Sequence, residues 1–121
     1  MSKRIVVIDD SESIRELVGL TLENAGYAVE KGFDGVDGLR FFDGREISLV
    51  ITDLNMPHLD GIGVIKEVRQ KTGYNTVPIL VLTTESQVSK KEEAKAAGAT
   101  GWIVKPFVAE KLITVVQKVI R

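Results

Sequence analysis

Cysteine is absent from the 121 residues, so neither a disulfide framework nor a thiolate metal site is available. A reducing compartment suits such a chain, and the cytoplasm is the expected location. Long apolar runs are also missing. The opening "MSKRIVVIDD" has a basic start, but its apolar run ends after four residues at two aspartates, unlike the apolar stretch of a signal peptide. No segment approaches the roughly 20 residues that span a bilayer, so membrane insertion is not expected. An excess of one charge is lacking: 16 basic and 17 acidic residues leave −1, which is not the electrostatic footprint of a nucleic-acid binder. Histidine occurs once, at His58, with no second nitrogen ligand to join it; it reads as a solvated loop residue with no assigned role.

What is present is enough for one domain over residues 1–121, a length that buries about two-thirds of the surface the unfolded chain would expose. Five short runs rich in β-branched residues, "RIVVID", "YAVEK", "SLVITD", "VPILVLTT" and "TGWIVK", read as strands. Between them lie segments with helical spacing. Residues 12–25 carry Ile14, Leu17, Val18, Thr21, Leu22 and Ala25 on one face, with Ser11 to cap the start and Gly26 the end. A second helix is expected after Asp34 with Val36, Leu39 and Phe42 inward, and a third after Asp60 with Ile62, Ile65 and Val68 inward. A fourth spans about 87–97 and ends at Gly98, with little but Val88 and alanines to bury; a fifth spans about 108–120. Strands alternating with helices imply an α/β fold with a parallel sheet covered on both faces. Five of each suit the flavodoxin-like, doubly wound (βα)5 arrangement with strand order 2-1-3-4-5.

In such sheets ligands bind beyond the carboxyl ends of the strands, where the strand order reverses. Asp9 and Asp10 end the first strand here, Asp53 the third and Thr83 the fourth, while Lys105 follows the fifth. Adjacent carboxylates are unfavourable unless something positive holds them. Oxygen ligands without His or Cys suit a hard cation, and Mg2+ commonly takes one or two carboxylates while leaving places for phosphate oxygens. Taken singly, each residue has a plainer reading: Asp9 and Asp10 as helix N-terminal acids, Asp53 as a turn residue, Thr83 as a strand-end hydroxyl bonded to its own backbone, Lys105 as a solvated loop residue. Their coincidence at the ends of four strands is what those readings leave unexplained.

The ordered motifs "DD", "DLNMP", "TTE" and "KPF" after strands one, three, four and five resemble the receiver domain of bacterial response regulators over the whole chain. Within that family the likeness is strongest to the stand-alone chemotaxis regulators. The resemblance implies that Asp53 accepts a phosphoryl group from a histidine kinase of the CheA type. It also implies that Asp10 and Asp53 bind Mg2+ directly, Asp9 mainly through water, and Asn55 through its backbone carbonyl. Lys105 would pair with Asp53 and then with phosphoryl oxygens, Thr83 would move toward the phosphoryl group, and the Lys105–Pro106 bond would be cis. Asn55 and Glu85 stand where the family tunes the lifetime of the phosphoryl group. Trp102 occupies the place of an aromatic, usually Tyr or Phe, that turns inward on activation. Tryptophan is larger and carries an N–H that wants a partner, so a signalling role and plain packing both stand open for it.

The implied output surface is the fourth helix, fifth strand and fifth helix. Ile113 and Ile120 lie off the apolar stripe of the last helix there, near Lys90, Lys91, Lys95, Lys111 and Lys118. Such a face suits an acidic amphipathic partner peptide, for instance of a flagellar motor component or another effector. A phosphatase is a further implied partner, and a monomer is expected. The chain would be a signalling switch that catalyses only its own phosphorylation and dephosphorylation. Rival readings are a haloacid-dehalogenase-type phosphatase, which expects an aspartate where Asn55 stands, and a flavodoxin-like flavin binder, whose phosphate loop would not begin "DDSES". A non-motility relay or phosphate-sink receiver also remains open.

Overall fold

The computed structural model describes residues 2–120. Its elements alternate as β1 (Arg4–Ile8), α1 (Glu12–Asn24), β2 (Ala28–Gly32), α2 (Gly35–Leu39), β3 (Leu49–Thr52), α3 (Gly61–Gln70), β4 (Ile79–Thr83), α4 (Val88–Ala97), β5 (Gly101–Val104) and α5 (Ala109–Val119). The strands form one parallel sheet in the order β2-β1-β3-β4-β5, the doubly wound arrangement anticipated from the alternation. Consecutive parallel strands need a crossover connection, and α1, α2, α3 and α4 supply the four, while α5 follows the last strand.

The period-two alternation of the strands divides the core into two layers. Ile5, Val7, Leu49, Ile51, Leu80 and Leu82 face α1 and α5, where they meet Val18, Leu22, Leu112 and Val116. Val6, Ile8, Val50, Ile79 and Val81 face the other way, against Ile62, Ile65 and Val68 of α3 and Ala94 of α4. With both faces covered, β1, β3 and β4 carry near-continuous apolar sequence.

The starts of α1, α2 and α3 follow their capping residues, whereas α4 and α5 begin without a side-chain cap. The Ser11 hydroxyl accepts from Ile14 N–H, and the Asp34 and Asp60 carboxylates accept from Asp37 and Gly63 N–H. At the far end of α1, Gly26 (φ 98°) closes a Schellman turn in which Gly26 N–H donates to Glu23 and Tyr27 N–H to Leu22.

Four expected inward residues face solvent instead, one of them Val88, which is 68% exposed at the uncapped start of α4, where Ala94 is the residue that is buried. Leu17 is 51% exposed and Ala25 is exposed, because the inner stripe of α1 is the narrower Ile14–Val18–Leu22 line. Beside that line Gly19 lies against the aliphatic stem of Lys31, whose ammonium pairs with Glu16. Val36 is 59% exposed because α2 is only five residues long and turns Gly35 and Gly38 inward. An apolar stripe cannot show a face made of glycine. Phe42, beyond the end of α2, is buried as expected, edge-on to Tyr74 with ring centroids 5.0 Å apart.

Gly61, the first residue of α3, shows how tightly the sheet end is packed. A Cβ there would collide with the Asp53 carbonyl and the Leu54 Cα, both main-chain groups that cannot swing away. The Gly61→Ala variant is expected to lose about 1–3 kcal/mol by overpacking, read as a lower urea midpoint with an unchanged denaturant slope.

Candidate functional site

The strand register brings the polar residues together. Ile8 lies beside both Gly32 of β2 and Thr52 of β3, so Asp9 and Asp53, each one residue further on, emerge abreast. The ladder runs one step past the strands: Asp9 N–H donates to Gly32, Asp53 N–H to Ile8, and Lys105 N–H to Thr83. Thr83 and Val104 are paired across β4 and β5, which places Lys105 at the same rim, and the Lys105–Pro106 peptide is cis.

Lys105 lies between two of the acids. Its Nζ is 2.8 Å from Asp9 Oδ2 and 3.2 Å from Asp53 Oδ2, so the shorter contact is to Asp9 and not to the expected partner, Asp53. The second oxygens are also occupied: Asp9 Oδ1 accepts from Ser11 N–H at 2.9 Å, and Asp53 Oδ1 from Leu54 N–H at 2.7 Å. Asp9 is 3% and Asp53 8% exposed. Asp10 is exposed, and its side chain has no hydrogen-bond or ion-pair partner among the described residues. Carboxylate oxygens of Asp9, Asp10 and Asp53 lie within 4.8 Å of one another.

Burial pushes the Asp9 carboxyl above the ordinary aspartate value, outweighing the Lys105 and Ser11 bonds that favour its charge, and the Asp53 charge adds to the rise. Burial alone would lower the Lys105 ammonium, but its bond to Asp9 and the charges of Asp53 and Asp9 leave its pKa raised. Three carboxylates thus face one ammonium. The excess of negative charge, the all-oxygen donor set and the unpartnered Asp10 fit a hard divalent cation.

Thr83 is fully buried, and its Oγ1 accepts from Glu85 N–H at 3.3 Å. Trp102 Nε1 donates to the Glu85 carbonyl at 3.2 Å, satisfying the indole N–H, while the ring packs on the α3–α4 side of the core. One residue, Glu85, therefore links the strand-end threonine to the β5 aromatic. Asn55 is exposed in the loop after Asp53, and Glu85 is half-buried in the loop after Thr83.

Sequence reasoning missed two neighbours of this cluster. Arg15 Nη1 donates to the Asp9 carbonyl at 2.8 Å, a contact that a helical-face pattern does not reveal. His58, expected to be merely solvated, holds a left-handed backbone (φ 71°) and bonds Asp34 Oδ2 through Nδ1 at 2.8 Å. It ties the loop containing Asn55 to the start of α2. The apolar surface also differs from expectation: Ile113 and Ile120 are half-buried against α1 and the sheet, while Val104 and Val108 are 42% and 64% exposed.

Two outcomes follow from these charges. The Asp37 N–H and His58 hold the Asp34 carboxyl below the ordinary aspartate value, so its stabilising contribution is present above about pH 3.9 and lost as pH falls through its lower folded value. The stability gap between wild type and Asp34→Ala is therefore expected to close under acid, in urea titrations across pH. In metal-free neutral buffer, Asp10→Asn removes a repelled carboxylate without breaking a bond and is expected to stabilise the protein by about 0.5–2 kcal/mol, read as a higher urea midpoint.

A family model for the response regulator receiver domain matches residues 5–117. The chemotaxis protein CheY4 of Vibrio cholerae superposes with a TM-score of 0.94 at 44% identity, covering 98% of this chain and 99% of that one. The response regulator MprA of Mycobacterium ulcerans is 37% identical over 121 residues, which is 100% of this chain and 51% of that protein. The probable transcriptional regulator ycf27 of Porphyridium aerugineum is 40% identical over 119 residues, 98% of this chain and 48% of that protein. The chain thus spans about half the length of these curated relatives. The match runs from within β1 to within α5 and takes in every strand end that bears an acid, hydroxyl or ammonium, so the chain belongs to the response regulator receiver domains of two-component signalling.

Proposed function

We propose that Asp53 accepts a phosphoryl group from the phosphohistidine of a partner histidine kinase. A carboxylate oxygen of Asp53 attacks phosphorus, the P–N bond breaks with its electron pair returning to the imidazole, and an acyl phosphate remains on Asp53. With acetyl phosphate the P–O bond breaks instead and acetate leaves. The observation that carries this reading is the position of Asp53, between a lysine ammonium 3.2 Å away and two further carboxylates within 4.8 Å. Such a pocket pairs an anionic acceptor with the means to neutralise an incoming anion.

The donor set fits Mg2+. Asp10 and Asp53 would hold it directly, Asp9 mainly through water, and Asn55 through its main-chain carbonyl. When bound, the ion supplies positive charge to the oxygens of the transferring group. The remaining work belongs to the chain. Leu54 N–H orients the Asp53 carboxylate. Lys105, already shared between two acceptors, can transfer its hydrogen bonds to a phosphoryl oxygen. Phosphoryl transfer has a loose transition state, so alignment and charge compensation supply most of the acceleration. Asn55 and Glu85 stand at the positions where the family tunes how long the acyl phosphate survives, and they would do so here.

The switch then runs through Thr83. If its hydroxyl turns to the phosphoryl group, it releases Glu85 N–H, and Glu85 is also bound by Trp102. The surface of α4, β5 and α5 changes as a result, by no more than the phosphoryl group's differential interaction with the two states. Val104 and Val108 are exposed there, and Lys111 lines the same groove, a face suited to an acidic amphipathic segment. The 44% likeness to CheY4 supports a chemosensory role, with a CheA-type kinase as donor and a flagellar motor component or another effector as receiver of the signal. It also supports reading residues 1–121 as one receiver domain acting through its surface.

Intact mass after incubation with acetyl phosphate tests the chemistry. One phosphoryl adduct is expected, dependent on Mg2+ and absent from Asp53→Ala. An adduct that survives in Asp53→Ala would overturn the assignment of the acceptor, and one formed equally well in EDTA would overturn the role of the metal.

A further inference from the structure

The Asp9 main chain and side chain are held at every polar atom. Its N–H donates to Gly32 at 3.1 Å, Oδ1 accepts from Ser11 N–H, Oδ2 from Lys105, and its carbonyl from Arg15 Nη1 at 2.8 Å. Asp10 is the opposite case. Its exposed carboxylate has no partner among the described residues, so where it points is inherited from the peptide that joins it to Asp9. Arg15 bonds the carbonyl of that peptide from the first turn of α1. A cation in the first turn opposes the helix dipole, so the dipole does not account for the residue. The bond to Asp9 does.

We propose that Arg15 is a positioning residue for the divalent-cation site: by fixing the Asp9–Asp10 peptide it aims the free Asp10 carboxylate at the place where it meets that of Asp53. The inference rests on the reading that these carboxylates hold Mg2+. Two physical effects of Arg15 have opposite signs. As a charge, the guanidinium repels a cation, so removing it would tighten every divalent ion. As an anchor, it keeps Asp10 in register, so removing it weakens binding. The anchoring effect is selective among ions, because Mg2+ demands near-ideal octahedral geometry whereas Ca2+ accepts variable ligand number and longer distances.

Calorimetric titration of the full chain with MgCl2 and, separately, CaCl2 decides between them, for wild type, Arg15→Met and Arg15→Lys. The expected result is about a tenfold loss of Mg2+ affinity in Arg15→Met, the scale typical of groups that orient metal ligands, with a smaller loss for Ca2+. Arg15→Lys keeps the charge but has a single flexible donor, and is expected between wild type and Arg15→Met in Mg2+ affinity and in selectivity. Unchanged or tighter Mg2+ binding in Arg15→Met, or equal losses for both ions, overturns the inference. If Arg15→Met does not fold, judged by far-UV circular dichroism in EDTA, Arg15→Lys carries the same test: wild-type Mg2+ affinity there overturns it. Absence of Mg2+ binding in wild type would instead remove the reading of the site itself.

Discussion

One ammonium group, that of Lys105, holds the charged rim of this protein together. Two buried carboxylates one strand apart repel each other and have lost much of their hydration, and a cation shared between them offsets both costs. Lys105 is shared in this way, at 2.8 Å from Asp9 and 3.2 Å from Asp53. It comes from the far side of the sheet, beyond β5, and so depends on β3 and β4 keeping their register between it and Asp9. The charge balance of the site and the order of the sheet are for that reason a single constraint.

The balance is left incomplete. One ammonium against three carboxylates keeps the rim electrostatically unsatisfied, and Asp10 stands in solvent with no partner among the described residues. Three acids around one ammonium are a poor arrangement for stability alone, and they fit a site that trades stability for the ability to hold a cation. The packing beneath it is unyielding. Main-chain groups of Asp53 and Leu54 press on Gly61, and Leu54 N–H fixes one oxygen of Asp53. The Asp53 carboxylate is thereby oriented by backbone and not by mobile side chains, which preorganises it for the acceptor role proposed for it.

The route from site to surface is short. Thr83 and Trp102 belong to neighbouring strands and both bond Glu85, one at its N–H and the other at its carbonyl. A shift of either is felt at a single peptide segment in the loop before α4. That loop has few apolar anchors, since Ala94 is the buried residue of α4 and the N-terminal end of the helix has no side-chain cap. Low local burial is what allows a segment to take two arrangements at small cost.

Much of this could be read in the residues. Period-two apolar runs, capping residues and turn glycines set the order of elements, because those signals are local and depend on backbone geometry alone. The strand-end positions of Asp9, Asp10, Asp53, Thr83 and Lys105 followed from that order. The face of α2 is not legible: its inner side is Gly35 and Gly38, which have no side chain to mark a buried stripe, so the apolar pattern points Val36 inward although it faces solvent. Nor was the choice of Asp9 as the nearer partner of Lys105, the indole bond to Glu85, the clamp from His58 to Asp34, or the reach of Arg15 back to Asp9. Those are contacts between groups whose separation is fixed only when the sheet closes. Residue order alone says which chemical groups stand at the rim; which of them touch is settled in the closed fold, because hydrogen bonding selects among candidates by tenths of an ångström that no spacing along a chain encodes.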